Sequence, residues 1–295
     1  MQDLRGMPVV NSLNEQFNSQ IAELKEENII PKLAVIRVGE REDDIAYEKG
    51  ILKRFSAVNA TVKVIPLPFD ISQNVLEETI TSLNNDTSIH GIILFRPLPK
   101  HLSQEPLKNI ISSEKDVDCM GTINTAYIFE GNQNGYAPCT PQAVIEMLDF
   151  YGVDVTSRKI TIVGRSLVVG KPLAMLLLRK NATITMCHTK TLNLANECKK
   201  ADILIACAGV AKMIGVDFIH SKQIVIDVGI NMVDGKLCGD VDYEMVANKV
   251  KAITPVPGGV GTVTTSVLLK NTISNAIKQL HLTKDIVCQR GGSLI

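Results

Sequence analysis

The feature that most constrains the fold is an alternation along the chain of short β-branched runs with longer helical patterns. Runs such as Lys32–Val38, Gly91–Leu94 and Lys159–Val163 are apolar almost throughout, as strands buried on both faces are. Segments with apolar residues at helical spacing, for example Asn11–Glu26 and Thr264–Leu282, separate or follow these runs. The alternation is typical of parallel sheets with crossover helices and predicts an α/β fold.

Two series of such units are visible in the 295 residues, separated by a Gly-, Asn- and Pro-rich linker at Gly131–Pro141. The further predicted strands are Thr61–Leu67, Ala182–Cys187, Ile203–Ala206 and Gln223–Val228. Because the chain is long enough for each series to bury its own core, the sequence predicts two α/β domains.

The composition excludes several classes of protein. Basic and acidic side chains are balanced at 31 each, so no cationic excess exists to bind nucleic acid through counterion release. No apolar run approaches the ~20 residues that span a bilayer, and Met1–Asn11 lacks the pattern of a signal peptide. Seven Cys at irregular spacing form neither a disulfide framework nor a zinc pattern. We therefore expect a cytoplasmic protein without nucleic-acid, membrane or metal partners.

The turn after Lys159–Val163 has features of a dinucleotide site. It reads GRSLVVGKP (164–172), and the helix that follows would offer free N–H groups and a positive dipole end to a diphosphate. Its glycine spacing differs from G-x-G-x-x-G, so the local pattern fits a βα turn without a ligand equally well. The next strand ends in CHTK (187–190), without the carboxylate that binds a ribose 2′-hydroxyl. With Arg165 nearby, this favours NADP over NAD.

Histidines and cysteines offer weaker candidates. No acid lies near His188 in sequence to orient it as a general base, so a structural or cofactor-edge role is favoured. The remaining histidines, among them His90, are interpreted as surface or strand-edge residues. Cys187 and Cys207 lie in apolar strand segments and are poor candidates for nucleophiles.

A series of collinear segments resembles methylenetetrahydrofolate dehydrogenase/cyclohydrolase, the FolD family. The segments are LAVIRVG (33–39), RPLPKHL (96–102), KDVD (115–118), PCTPQA (138–143), GRSLVVGKP (164–172), ATITMCHTKT (182–191), ADILIACAG (201–209), VIDVGIN (225–231), GDVDY (239–243) and ITPVPGGVG (253–261). They span nearly the whole chain, and such a set is highly specific for the family.

The resemblance implies two α/β domains flanking a cleft. Residues 1–138 plus 270–295 would form the folate-binding catalytic domain, and residues 139–269 the Rossmann-like NAD(P)-binding domain. The implied reaction oxidises 5,10-methylenetetrahydrofolate to 5,10-methenyltetrahydrofolate by hydride transfer to NADP, with NAD as the alternative cofactor. Bifunctional members then hydrolyse the product to 10-formyltetrahydrofolate. The resemblance also implies a homodimer.

The resemblance assigns site residues to this chain. The cofactor-binding positions would be Gly164, Arg165, Ser166, Val169, Gly170, His188, Thr189 and Ile230. The substrate-binding positions would be Tyr47, Asp118, Pro257, Gly258 and Gly259, with Tyr47 and Asp118 also assigned as catalytic.

Two departures from the family bear on activity. The family has a Lys four residues after its Tyr, on the same helix face, and a Gln before its L-P-L-P segment that holds this Lys. Ile51 and Phe95 stand at these positions here. Hydrolysis needs an activated water, and a lysine of adjusted pKa can activate it. Hydride transfer depends mainly on the positioning of the two reactants. We therefore expect a dehydrogenase whose cyclohydrolase activity is weak or lost.

Two alternatives stay open. In the first, a neighbouring cation such as Lys53 or Arg54 replaces the Lys and the enzyme stays bifunctional. In the second, the protein binds a folate or another pterin without turnover. Further departures, such as Cys119 at the glycine of the family's D-V-D-G-F motif, suit this second alternative. Retention of Tyr47 and Asp118, together with the glycine turn, argues against it.

Overall fold

The computed structural model describes the backbone of residues 1–291 and the side chains of residues 1–282 and 284. The chain divides into two compact units. One, here the six-stranded unit, comprises Met1–Ser12 and Ala126–Val267. The other, the three-stranded unit, comprises Leu13–Thr125 and the described residues from Leu268 to Gly291.

Strands and helices alternate along most of the chain. The strands are β1 (Gln2–Asp3), β2 (Lys32–Val38), β3 (Thr61–Leu67), β4 (Gly91–Leu94), β5 (Lys159–Val163), β6 (Thr183–Cys187), β7 (Ile203–Ala206), β8 (Ile224–Asp227), β9 (Asn231–Val233), β10 (Lys236–Cys238) and β11 (Ala252–Ile253). The helices are α1 (Gly6–Glu26), α2 (Glu42–Ser56), α3 (Gln73–Asn85), α4 (Gln104–Ile110), α5 (Thr122–Glu130), α6 (Cys139–Phe150), α7 (Gly170–Arg179), α8 (Leu194–Lys199), α9 (Tyr243–Val246) and α10 (Val260–Gly291). Short 3₁₀ helices lie at Val216–Phe218 and Ala247–Lys249.

The three-stranded unit is built on a parallel sheet in the order β3-β2-β4. Its core lies where the sheet meets α3 and α4, with buried side chains such as Ile36, Leu76, Ile80 and Leu107. Burial of a side chain of this size stabilises the fold by about 1.5–3 kcal/mol. His90, predicted at the surface or a strand edge, precedes β4 but is only 5% exposed, so the surface interpretation is wrong.

The six-stranded unit is built on a parallel sheet in the order β1-β11-β8-β7-β5-β6. The chain leaves β5 toward β6 on one side and then crosses to β7 on the other side. The topological switch point therefore lies between β5 and β7, at the carboxyl edge where α/β sheets bind their ligands. Strands β9 and β10 form a separate antiparallel hairpin.

The predicted α/β fold with parallel sheets is confirmed. The predicted bounds of β2, β3, β4, β5 and β7 agree with the structure. The sequence interpretation missed α4, α5, α8, α9 and the hairpin. It also missed the two-residue strands β1 and β11, which are too short to show a period. The stretch interpreted as a linker, Gly131–Pro141, contains the start of α6 at Cys139.

The compact units differ from the predicted domains at the N-terminus and at residues 126–138, which also belong to the six-stranded unit. Met1–Ser12 belongs to the six-stranded unit because β1 pairs with β11, and the Tyr151 hydroxyl donates to the Arg5 carbonyl at 2.8 Å. Assignment of residues 1–138 plus 270–295 to folate and 139–269 to NAD(P) stays a prediction, because the packing of a unit does not reveal which ligand it binds. Within the described part of the chain, no helix is both long and apolar enough to cross a membrane.

Candidate active site

The turn that follows β5 lies at the switch point of the six-stranded sheet. Gly164 directly follows the strand and has a φ of +134°, a conformation that residues with a side chain rarely adopt. A Cβ atom there would lie 2.2 Å from the carbonyl oxygen of Cys207, just after β7. The Gly164 N–H donates to the Cys187 carbonyl of β6 at 3.0 Å. Glycine therefore allows the turn to pack against the ends of both neighbouring strands.

Residues 165–168 of this turn are exposed to solvent, and the turn leads into α7. Arg165 and Ser166 are exposed, and Ser166 Oγ accepts from the Val169 N–H at 3.0 Å. Gly170 begins α7, and the positive end of the helix dipole favours an anion there. Pro172 has no N–H, and the N–H groups of Lys171 and Leu173 donate to the Ser166 and Val169 carbonyls at 3.1 and 3.0 Å. The fit to the diphosphate of a dinucleotide therefore rests on the helix dipole and the exposed residues of the turn. The five cofactor positions predicted between residues 164 and 170 thus belong to one turn, which is exposed at Arg165 and Ser166 and buried at Gly170.

The end of β6 lies beside this turn and is held by hydrogen bonds within residues 188–191. The His188 N–H donates to Thr191 Oγ1 at 2.9 Å, and His188 Nδ1 accepts from the Lys190 N–H at 3.1 Å. An imidazole that accepts at Nδ1 carries its proton on Nε2 when neutral. Thr189 and Lys190 are exposed at this end of the sheet. The ring is therefore engaged in its own turn, which fits the predicted structural or cofactor-edge role.

Two other predicted segments leave the same edge of the sheet from β8 and β11, which are neighbours. Ile230 follows β8 and is 67% exposed. Pro257, Gly258 and Gly259 follow β11, and the Thr254 N–H ahead of them donates to the Val225 carbonyl at 3.1 Å. The predicted residues of this unit thus share one edge.

In the three-stranded unit, Tyr47 lies on α2 with its ring against that of Phe95, at 5.4 Å between centroids. An ion pair between Arg37 Nε and Glu48 Oε2, 2.9 Å apart, anchors this part of α2 to β2. Ile51, one helical turn after Tyr47, is fully buried, and Phe95 is 6% exposed. Both positions at which the resembling family has a polar pair are therefore packed apolar side chains.

An ion pair with Arg96 links Asp118 to the segment that carries Phe95. Its Oδ2 atom is 3.9 Å from Arg96 Nη2, and Arg96 directly follows Phe95. The preceding residue is held by α10, because Asn271 Nδ2 donates to the Val117 carbonyl at 2.8 Å. Sequence reasoning did not single out Arg96. The available signal was an arginine at the first position of the family's L-P-L-P segment.

The neighbouring cations on α2 are occupied or face away. Lys53 is exposed, whereas Arg54 is buried. The Arg54 guanidinium hydrogen-bonds to Asn14 Oδ1 and lies 5.7 Å from the centre of the Phe17 ring, and burial lowers its pKa. Arg54 therefore joins α2 to α1.

The chain matches two sequence profiles that describe one family. Residues 4–118 match the catalytic domain of tetrahydrofolate dehydrogenase/cyclohydrolase, and residues 138–280 match its NAD(P)-binding domain. The Bifunctional protein FolD of Clostridioides difficile is 48% identical over 273 residues, which cover 92% of this chain and 95% of that protein.

Solved structures agree with this match. The bifunctional enzyme FolD from Campylobacter jejuni has a TM-score of 0.92 at 38% identity, covering 95% of this chain and 99% of that one. FolD from Trypanosoma brucei, complexed with NADP and an inhibitor, has a TM-score of 0.88 at 31% identity, covering 94% and 97%. The resemblance seen in the sequence motifs is confirmed. The chain belongs to the tetrahydrofolate dehydrogenase/cyclohydrolase family and carries that family's NAD(P)-binding domain.

Proposed function

We propose that this protein oxidises 5,10-methylenetetrahydrofolate to 5,10-methenyltetrahydrofolate with NAD(P), and that its cyclohydrolase activity is weak or lost. Family membership and the open turn after β5 support the dehydrogenase reaction. The observation that carries the loss of hydrolysis is the apolar packing of Ile51 and Phe95 next to Tyr47.

For hydride transfer, the protein mainly has to bind and orient the folate and the nicotinamide cofactor. A bound nicotinamide supplies the hydride acceptor. The turn from Gly164 to Gly170 would hold the diphosphate, with His188, Thr189 and Ile230 along the same sheet edge. The Asp118 carboxylate can accept hydrogen bonds from a pterin, and the Arg96 guanidinium compensates its charge. Tyr47 would contact the folate, as would Pro257–Gly259.

NADP is the cofactor we propose, with NAD as the alternative. The end of β6 presents Thr189 and Lys190 where a ribose-binding carboxylate usually lies, and Arg165 is exposed in the neighbouring turn. Hydroxyl and cationic groups suit a 2′-phosphate. The relative from Trypanosoma brucei was solved with NADP.

Cyclohydrolysis needs a side chain that can exchange a proton with water or with a tetrahedral intermediate. Neither Ile51 nor Phe95 can do so. Lys53 is exposed on α2, and Arg54 is held by Asn14 and Phe17. A guanidinium also stays protonated in proteins and cannot act as a base.

The second candidate is a fully bifunctional enzyme. It is favoured by the name of the Clostridioides difficile relative, a bifunctional protein at 48% identity. On this alternative Lys53 would have to leave the exposed face of α2, or Arg54 its contacts with α1. A protein that binds folate without turnover is the third outcome that the experiment below distinguishes.

We further propose that the protein is a homodimer, as the resemblance implies. The β9–β10 hairpin offers an apolar surface, since Met232, Val233 and Leu237 are all exposed. Surfaces of this kind commonly mark a protein contact, and a two-fold dimer is the commonest closed assembly. Sedimentation equilibrium tests the proposal, and a monomer at micromolar concentration would contradict it.

The test of activity mixes purified protein with 5,10-methylenetetrahydrofolate and either NADP or NAD. Reduced cofactor and methenyl product are followed together by absorbance. We expect the two to accumulate in equal amounts, faster with NADP. Asp118→Asn is the control, because both signals should fall at least tenfold if they arise at this site.

Each other outcome identifies an alternative. Enzyme-dependent decay of added methenyltetrahydrofolate would show that the hydrolase step survives, and the proposed loss would be wrong. Thermal stabilisation by folate without any reduced cofactor would identify a binding protein.

A further inference from the structure

Two buried carboxylates lie under the carboxyl edge of the six-stranded sheet, and neither was predicted as a site residue. Asp240 is fully buried and Asp227 is 3% exposed. Buried ionised groups persist only where hydrogen bonds or opposite charges compensate them. The partners of these two carboxylates therefore show what they hold in place.

The Asp240 carboxylate joins two loops that leave neighbouring strands. Its Oδ2 atom accepts from the N–H groups of Ala208 and Gly209 at 2.6 and 2.9 Å. Its Oδ1 atom accepts from the Val210 N–H at 3.0 Å and from Asn231 Nδ2 at 2.9 Å. Three consecutive N–H groups of the loop after β7 are thus occupied by a side chain of the protein itself.

Asp227, the last residue of β8, connects this arrangement to the next loop. Its Oδ1 atom accepts from the N–H groups of Gly229 and Asp240 at 2.9 and 3.0 Å, and its Oδ2 atom accepts from Val241 at 2.9 Å. Its own N–H donates to Thr254 Oγ1 at 2.7 Å, just ahead of Pro257–Gly259. One hydrogen-bond network therefore reaches the loops after β7, β8 and β11.

The backbone around the carboxylates leaves no room for adjustment. A Cβ atom at Gly239 would lie 1.9 Å from Asp227 Oδ2, which no side chain allows. Ile230 is exposed, yet both of its neighbours are tied down, Gly229 by Asp227 and Asn231 by Asp240. The position of this predicted cofactor residue is therefore fixed from beneath by the two carboxylates.

We infer that Asp240 is a positioning residue for cofactor binding, acting through the loops at Ala208–Val210 and Gly229–Asn231, with Asp227 as its link to the segment after β11. The inference rests on the proposed function, because it takes this edge of the sheet as the NAD(P) site. Asp240 itself is buried and acts only through the loops that it holds.

Replacement of Asp240 by Asn separates this role from mere packing. The amide has nearly the shape of the carboxylate, but its NH₂ group would face two N–H donors that lose their acceptor. The loops on both sides must then move. We expect the Kd and KM for NADP to rise at least tenfold in Asp240→Asn, with a smaller change in kcat and less than a threefold change in the KM for folate.

The matched control lies at the opposite edge of the same sheet. Gln223 is also fully buried, and its Nε2 atom donates to the carbonyls of Cys198 and Ala201 at 2.7 and 2.9 Å. Gln223→Leu removes both bonds far from the proposed site, so it should lower the Tm while leaving the Kd for NADP within twofold. Binding is measured by calorimetric titration with NADP alone, well below the Tm of every variant.

The outcomes separate the inference from the proposed function. Wild-type protein that binds neither NADP nor NAD would overturn both. Wild-type protein that binds NADP while Asp240→Asn binds within twofold of it would overturn the inference alone, as would equal weakening in Gln223→Leu. If Asp240→Asn does not fold, Asn231→Ala removes one of its partners from a half-buried position. An unchanged Kd in that variant would likewise overturn the inference.

Discussion

Both units of this protein hold backbone near their predicted site residues with buried carboxylates, among them Asp116 in the three-stranded unit, which accepts from the Met120 and Gly121 N–H groups at 2.8 Å. The units differ in what has happened to the other polar groups at these places. In the six-stranded unit, buried Asp227 and Asp240 are satisfied by backbone N–H groups and hold three loops. In the three-stranded unit, Ile51 and Phe95 fill the places of a polar pair, and Tyr47 packs against Phe95. On the proposed function, the framework for the cofactor is retained while the groups for activating water are replaced. Two activities that share a family framework can therefore diverge separately.

The largest effect is expected when Ile51 and Phe95 are replaced by the polar residues that the family has at these positions. Ile51→Lys places an ammonium group in a fully buried position, which should lower the free energy of unfolding by about 3 kcal/mol or more. Adding Phe95→Gln supplies a partner, so the double variant should recover about 1–2 kcal/mol of this loss. It should also gain enzyme-dependent hydrolysis of methenyltetrahydrofolate. Urea unfolding and methenyl absorbance measure the two effects.

Leu52→Lys is the control for Ile51→Lys, because Leu52 is the next residue on α2 and is 38% exposed. Its effect should stay within about 0.5 kcal/mol. Additive losses in the double variant, with no gain of hydrolysis, would mean that these two positions do not form a coupled pair. The contrast between the two units would then lose its chemical basis.

A second prediction uses pH to tell the units apart. Burial raises the pKa of Asp227 to about 6 from 3.8, with a smaller contribution from the charge of Asp240. Its protonation therefore stabilises the fold fully below pH 3.8, and this stabilisation is lost as pH rises through 6. Burial, with the charges of Lys115 and Lys32, lowers the pKa of His90 to about 4 from 6.5. Its contribution is present above pH 6.5 and is lost as pH falls through 4.

Between pH 8 and pH 5 the two groups should therefore change stability in opposite directions, each by on the order of 1–2 kcal/mol. Asp227→Asn removes the gain on acidification, and His90→Gln, which keeps an acceptor for the Lys32 N–H, removes the loss. Hydrogen exchange at the two pH values measures the stability of each unit separately. Peptides that contain β8 report on the six-stranded unit, and peptides that contain β4 report on the three-stranded unit. The same pH dependence in both variants would contradict the assignment.

Much of the fold follows from local pattern, because buried parallel strands are short apolar runs with clear ends. Strands β2 and β5, for example, have the bounds that their apolar runs predict. Strands β1 and β11 could not be found in this way, since two residues show no periodicity and exist only through pairing with each other and with β8. The position of His90 was missed because burial of a histidine depends on distant partners such as Lys32 and Asn275.

The candidate site likewise has parts that the sequence predicts and parts that only the tertiary structure shows. The turn after β5 was visible in sequence because its glycines, strand and helix are consecutive. The pairing of Arg96 with Asp118 and the contact of Tyr47 with Phe95 join segments far apart in the chain, so only the tertiary structure shows them. Asp240 belongs to the recognised GDVDY segment, but its role depends on N–H groups about thirty residues earlier, which no local pattern indicates.

The smallest predicted effect tests whether the three-stranded unit also carries backbone strain beside its site. Cys119, next to Asp118, has a φ of +55°, a left-handed conformation that costs an L-residue about 1 kcal/mol or more. Burial raises the pKa of its thiol to about 12, so the group is an uncharged packing element. Cys119→Gly and Cys119→Ala both remove the sulfur, and only glycine relieves the backbone. Glycine should therefore be the more stable variant by about 0.5–1 kcal/mol in urea unfolding.

Cys198 provides the matched position in the six-stranded unit, since it is fully buried but lies in the regular helix α8. There the order should reverse, with alanine more stable than glycine by about 1 kcal/mol because glycine loses more backbone entropy in a helix. If glycine is the more stable replacement at Cys119 and alanine at Cys198, the backbone strain lies in the segment that carries Asp118. If alanine were the more stable replacement at both, the backbone at Cys119 would be unstrained, and the contrast between the units would rest on their polar groups alone.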